Sequence, residues 1–151
     1  MKTKFITRAA IIAALYATIA IVQPWSSGQI QIRGSEALTV LAGLMPAAIP
    51  GIFVGCLITN IFVGAGMLDI VFGSAASLIA AALSWKLRKN KRLVPLPPVV
   101  VNAIIVGTIM HYTYGEFSIW LNMAYVGIGQ LVACYGLGLP LLYVVKKVVK
   151  D

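Results

Sequence analysis

Charge is what this sequence has least of. Only 11% of its 151 residues are charged, against 60% hydrophobic, and the mean hydropathy is +0.95. An ordinary soluble domain carries roughly a quarter charged residues, so a water-exposed globular surface is excluded. Acids are scarcest of all: Glu36, Asp69, Glu116 and Asp151 face twelve lysines and arginines, for a net charge of +8. A single histidine, His111, rules out an HExxH motif or a multi-histidine metal site. The two cysteines, Cys56 and Cys134, stand inside apolar runs without a CxxC partner and read as small packing residues. There is no GxxxxGK[ST] phosphate loop and no GxSxG elbow, so neither nucleotide-driven work by this chain itself nor serine-hydrolase chemistry is supported. The expectation is a protein that is not an enzyme and needs no metal or cofactor.

What the sequence has instead is long apolar runs, and it reads as one all-α transmembrane domain over residues 1–151. Six spans are expected, at about 5–23, 36–49, 51–63, 67–87, 97–114 and 117–145, the last continuing as helix to about Val149. The basic N-terminus followed by an apolar run resembles a signal peptide, but more membrane follows it, so it is read as a retained first span. Ser35 is a plausible N-cap for the second span, and Pro50-Gly51 punctuates the second and third. Gly64-Ala65-Gly66 is a turn, and Pro95, Pro97 and Pro98 suit the opening of the fifth span. Residues 25–35 are polar and form an outer loop, with Ser26, Ser27, Gly28 and Gly34 able to let it act as a lid.

The charges are consistent with this count. With the N-terminus inside, Lys2, Lys4 and Arg8, the run Lys86 to Arg92, and Lys146, Lys147 and Lys150 all lie on the cytoplasmic side, leaving Arg33 as the one outer cation. Glu36, Asp69 and Glu116 fall at outer helix ends, and both termini are cytoplasmic. The expected location is a bacterial plasma membrane, crossed several times.

Ionisable and amide groups in membrane segments are costly, which makes them candidates for function. Glu36 and Asp69 open the second and fourth spans, where they either stabilise a helix N-terminus or aim a carboxylate into an outward-facing cavity. Asn60, Asn102, Asn122 and Gln130 must face the bundle interior, as interhelical glue or as ligand contacts. Trp25, Trp120, Tyr112, Tyr114 and Tyr125 cluster at the outer boundary, either as an interfacial belt or as a stacking surface for a flat ligand. In the first span Ala9, Ala10, Ala13, Ala14 and Ala17 form overlapping small-xxx-small pairs, a smooth face for internal packing or for a separate subunit.

The stretch from Arg8 to Ala17 resembles the first helix of substrate-binding S components of energy-coupling factor (ECF) transporters. The stretches Gln31 to Leu38, Met45 to Gly51, Leu68 to Ser74 and Leu96 to Ala103 are similar to the queuosine-precursor transporter (QueT) branch of that group. The resemblance covers nearly the whole chain. It implies a subunit that captures a micronutrient outside, docks on a membrane coupling subunit with two cytoplasmic ATPases, and topples to deliver the ligand inward. The implied ligand is a 7-deazaguanine: 7-cyano- or 7-aminomethyl-7-deazaguanine, or queuine. Matching its chemistry to the residues, Glu36 would take the N1–H and exocyclic amine, and Asn60, Asn102, Gln29 or Arg33 the O6 acceptor. Asp69 would take a cationic 7-substituent, and Trp25 or Trp120, with Tyr112 or Tyr125 beside it, would stack on the ring. Asn122 completes the candidate substrate set. The docking face would fall on Ala10 and Ala14 first, then Ala13 and Ala17. The alternatives left open are an S component for another vitamin or nucleobase, and a stand-alone homo-oligomeric carrier.

Overall fold

Twenty-one residues without glycine or proline, Lys2–Val22, form helix α1, which stops just before Pro24. The computed structural model describes residues 2–23, 32–115 and 117–150, and among them there is no strand. The all-α expectation holds. Ile12, Ala13, Tyr16, Ala17 and Ala20 are the buried residues of α1, a single stripe at helical spacing.

The second element departs from expectation. Gly34–Gly43 is a 3₁₀ helix, and every residue from Ser35 to Gly43 is buried. Runs of 3₁₀ longer than about four residues are uncommon, but the tighter winding rises about 2 Å per residue and carries ten residues to about 20 Å. Helix α1, α2 (Ala48–Phe62), α3 (Ser74–Lys86) and α6 (Leu139–Lys150) all pack against it. Its backbone is thus enclosed by protein, the condition under which irregular winding survives at membrane depth.

The expected boundary between spans two and three also moves. The turn lies at residues 44–47, and Pro50-Gly51 sits inside the first turn of α2. Proline is tolerated there because the first N–H groups of a helix have no intrahelical partner to lose. Gly51 is needed for a different reason: a Cβ on it would come within 2.7 Å of the Ala9 carbonyl oxygen. Gly55, one turn on, would place a Cβ 2.8 Å from Tyr16 Cβ and 2.9 Å from the Ala13 oxygen. The pair lets α2 lie backbone to backbone on α1. Because backbone atoms cannot yield, Gly55→Ala is expected to destabilise the protein by about 1–3 kcal/mol, read as a lowered melting temperature in detergent. An unchanged melting temperature would show that the helices part at no cost.

Ser35 does not cap the second element either. Arg33 holds the N-cap position, and the Ser35 hydroxyl is buried without a partner. A π-helical segment, Asp69–Gly73, runs into α3. Helix α4, Leu96–Tyr114, has its prolines in the first turn as expected and ends at left-handed Gly115. Helix α5, Ile119–Leu131, is capped by Ser118, whose hydroxyl accepts from the Leu121 N–H at 3.3 Å. A second π segment, Val132–Gly138, joins α5 to α6, so the sixth expected span is one continuous helical stretch. Lys2–Val22, Leu96–Tyr114 and Ile119–Val149 are each long and apolar enough to cross a membrane.

Two contacts orient the bundle. Gly51 at the start of α2 meets Ala9 near the start of α1, and Gly43 at the end of the 3₁₀ helix meets Val94 in the α3–α4 connection. The α1 start and the α3–α4 connection therefore share one end, and α6 joins them through Leu142, which clusters with Val94 and Val40; the basic residues gather there. Arg33, Asn60 and Asp69 occupy the other half.

Candidate functional site

Paired residues from five elements line one internal cavity. The 3₁₀ helix and its cap supply Glu36 and Arg33, α2 supplies Cys56 and Asn60, and the first π segment with α3 supplies Asp69, Gly73 and Ser77. Helix α4 adds Asn102 and Val106, and α5 adds Val126 and Gln130. Each helical set is spaced by four residues, and the 3₁₀ set by three. These are the spacings that stack side chains on one face of each winding.

Glu36 is the centre of the network. It is 3% exposed, and its carboxylate accepts from the Tyr16 hydroxyl at 2.5 Å. Thr39 Oγ1 donates to it at 3.3 Å and Asn102 Nδ2 at 3.4 Å. Thr39 reaches it because residues three apart eclipse in a 3₁₀ helix. The Cys134 thiol lies 3.6 Å from the Glu36 carbonyl oxygen. One residue thus ties α1, the 3₁₀ helix, α4 and the second π segment together. A carboxylate offers about four lone-pair sites, so three donors leave room for one more without rearrangement.

Asp69 behaves differently. It is half-buried, and among the described residues its carboxylate has no hydrogen-bond partner, although its backbone carbonyl accepts from Asn60 Nδ2 at 2.9 Å. The amides of Asn60 and Asn102 each point their NH₂ at an acceptor-only oxygen, which settles their orientation. Their Oδ1 atoms are then left buried and unpartnered. An unsatisfied buried acceptor costs roughly 1–3 kcal/mol, and two on the lining of one cavity mark a place where donors come from elsewhere. The site is therefore rich in acceptors, with the Arg33 guanidinium as its cation.

The cavity's free volume is about 20 Å³, enough for a water molecule and far below the roughly 300–1,000 Å³ of ligand pockets. A ligand of bicyclic size requires the walls to part. The first π segment lines the cavity and the second touches it only through Cys134, whose thiol lies 3.6 Å from Gln130 Oε1; such local windings commonly occur at functional sites. The Gln23 side chain accepts from the Gly34 N–H at 2.7 Å, drawing together the ends of the outer loop.

Glu36, Asp69, Asn60, Arg33 and Asn102 are brought together as candidates on one cavity. Asn102 reaches the cavity from α4 and bonds Glu36 there. The other expected contacts stand apart. Trp120 and Tyr112 are 77% and 74% exposed, projecting from the bundle as interfacial aromatics do. Tyr112 instead borders an apolar groove of about 400 Å³ between α3 and α4. Tyr125 packs edge-on against Phe117, and Asn122 donates to the Phe117 carbonyl at 3.3 Å, holding the α4–α5 connection rather than the cavity. Trp25 and Gln29, with most of the expected lid loop, lie outside the described residues, as does Glu116. Ala10 and Ala14 face outward, whereas Ala13 and Ala17 are buried inside the bundle, so only the first pair is open to another subunit. Gln130, expected inside as glue or as a ligand contact, lies on the cavity lining, whereas Ser77 and Cys56 were missed as cavity residues, although their four-residue spacing from Gly73 and Asn60 was a readable signal. Tyr16 left no such trace, since a lone tyrosine on an alanine-rich helix looks like packing.

Residues 6–147 match the family model described as QueT transporter. No curated protein and no solved structure matches the chain.

Proposed function

The chain belongs to the QueT transporter family and is a membrane protein of transport, and from that premise we infer that it is the substrate-binding S component for a queuosine precursor. It captures a 7-deazaguanine outside the cell and delivers it across a bacterial plasma membrane with an ECF coupling subunit and two ATPases. The observation that carries this reading is the surplus of acceptors in one cavity. Glu36 and Asp69 join the unpartnered Oδ1 atoms of Asn60 and Asn102, opposite one guanidinium, Arg33. A 7-deazaguanine is complementary, because its N1–H, exocyclic amine and ring N–H are donors, and O6 is an acceptor for Arg33. A 7-aminomethyl group adds a cation suited to Asp69. Val106 and Val126 offer apolar contact for the ring.

Calorimetry on the purified protein with 7-aminomethyl-7-deazaguanine, 7-cyano-7-deazaguanine, queuine and guanine tests the assignment. Tight binding of a deazaguanine with guanine at least about tenfold weaker is expected, since sites built on buried hydrogen bonds reject ligands that leave groups unpaired. Failure of all four to bind folded protein would move the ligand to another vitamin or nucleobase. Uptake into liposomes without ATPase subunits would instead favour a stand-alone carrier.

A further inference from the structure

The end of the bundle opposite the cavity carries a second constellation. In the α3–α4 connection, Lys91 Nζ donates to the carbonyl of Gly43 at 3.2 Å, at the C-terminus of the 3₁₀ helix, where the helix dipole favours a cation. Arg88, just past the end of α3, is held against it: its guanidinium lies 4.0 Å over the Trp85 ring, and Nη1 donates to the Trp85 carbonyl at 3.1 Å. Tyr135 fastens the same connection to the second π segment through the Arg92 carbonyl at 3.0 Å. Lys146 on α6 completes the group. Partial burial, then the nearby charges of Lys146 and Arg88, hold the Lys91 amine below the ordinary lysine range. Contacts thus fix Arg88 and Lys91, Lys146 lies near enough for its charge to act on Lys91, and both described carboxylates belong to the distant cavity. Beside them, Leu93, Leu96, Tyr143 and Val144 are exposed apolar surface.

We propose that Arg88, Lys91 and Lys146 form a binding site for the headgroup of an anionic phospholipid, whose acyl chains lie along the adjoining apolar surface. Charge complementarity selects an anion, and continuity with an apolar face selects an amphiphile over a soluble one. Basic pockets between helices at the cytoplasmic boundary are suited to such headgroups. The site bears on the orientation of the protein in the membrane and does not depend on the ligand assigned to the cavity.

The test is native mass spectrometry of the full-length protein titrated with phosphatidylglycerol or phosphatidylcholine of identical chains. Phosphatidylglycerol is expected to be retained preferentially. Lys146→Gln is expected to weaken its retention about fivefold, and the pair Lys91→Gln with Lys146→Gln about 25-fold. The pair Lys2→Gln with Lys4→Gln, at the same end but outside the constellation, should change it by less than about twofold. Lys146 makes no hydrogen bond among the described residues, so its single variant remains informative if the Lys91 change disturbs folding. The proposal is overturned by unchanged retention in Lys146→Gln, by an equal loss in the Lys2 and Lys4 pair, or by glycerol phosphate displacing the lipid at equal concentration. It is also overturned if Lys146→Gln keeps the lipid but loses the coupling subunit, which would assign the cluster to an acidic protein surface.

Discussion

Glu36→Gln is expected to weaken binding of 7-aminomethyl-7-deazaguanine roughly 10- to 100-fold while leaving the melting temperature nearly unchanged. Hydrogen bonds to a charged group contribute about 1.5–3 kcal/mol each, and a neutral amide whose one oxygen already takes Thr39 and Asn102 has no acceptor site left for a ligand N–H. The fold tolerates glutamine because Tyr16 can turn its hydroxyl from donor to acceptor, while the remaining amide oxygen still takes Thr39 and Asn102. Glu36→Ala lacks that compensation. It strands three buried donors and opens a void among α1, the 3₁₀ helix and α4, so a loss of stability should accompany the loss of binding. Calorimetry and thermal melting on the two variants together separate the roles. Binding by Glu36→Gln within about twofold of the unaltered protein would remove Glu36 from the ligand contacts and leave it a purely structural anchor.

The second large effect is expected on α1. Ala14→Trp should reduce ATP-dependent uptake more than about tenfold without altering ligand affinity or melting temperature. Ala14 faces away from the bundle, so a large side chain there meets nothing inside the chain but keeps another helix at a distance. Ala13→Trp makes the contrast. Its Cα lies one residue away, yet the side chain is only 7% exposed and its carbonyl lies beside Gly55. That substitution should unfold or misassemble the protein, with uptake and binding lost together. Uptake in whole cells, with co-purification of the coupling subunit, reads the first variant, and melting in detergent reads the second. Normal uptake with Ala14→Trp would place the docking surface on a different face.

Much of the architecture was legible because its causes are local. Runs of apolar residues wide enough for a bilayer announce helices, the Gly64-Ala65-Gly66 and Gly115 breaks end two of them, and the prolines at 97 and 98 open another. The Pro50-Gly51 boundary was misread because both residues have two uses. Proline either ends a helix or opens one, and a glycine can mark either a turn or a close crossing. Only the position of α1 decides that Gly51 serves the crossing. The 3₁₀ winding of Gly34–Gly43 was equally hidden, since its stability comes from the four helices enclosing it rather than from the propensities of its own residues.

The same division runs through the candidate site. By itself the sequence determined which groups were available: one outer cation, a handful of acids and amides forced inward by the cost of polar atoms in hydrocarbon, and small residues repeating along α1. It also determined that basic residues would mass at the ends of apolar runs. The tertiary structure decided which of these meet. Glu36 and Asn102 are 66 residues apart and share a hydrogen bond, while Trp120 and Tyr112, equally eligible by composition, point away from the cavity. Facing direction depends on where each helix lies and how it is wound. A 3₁₀ or π segment rotates every following side chain relative to an α-helix, and that rotation comes from packing between elements distant in sequence.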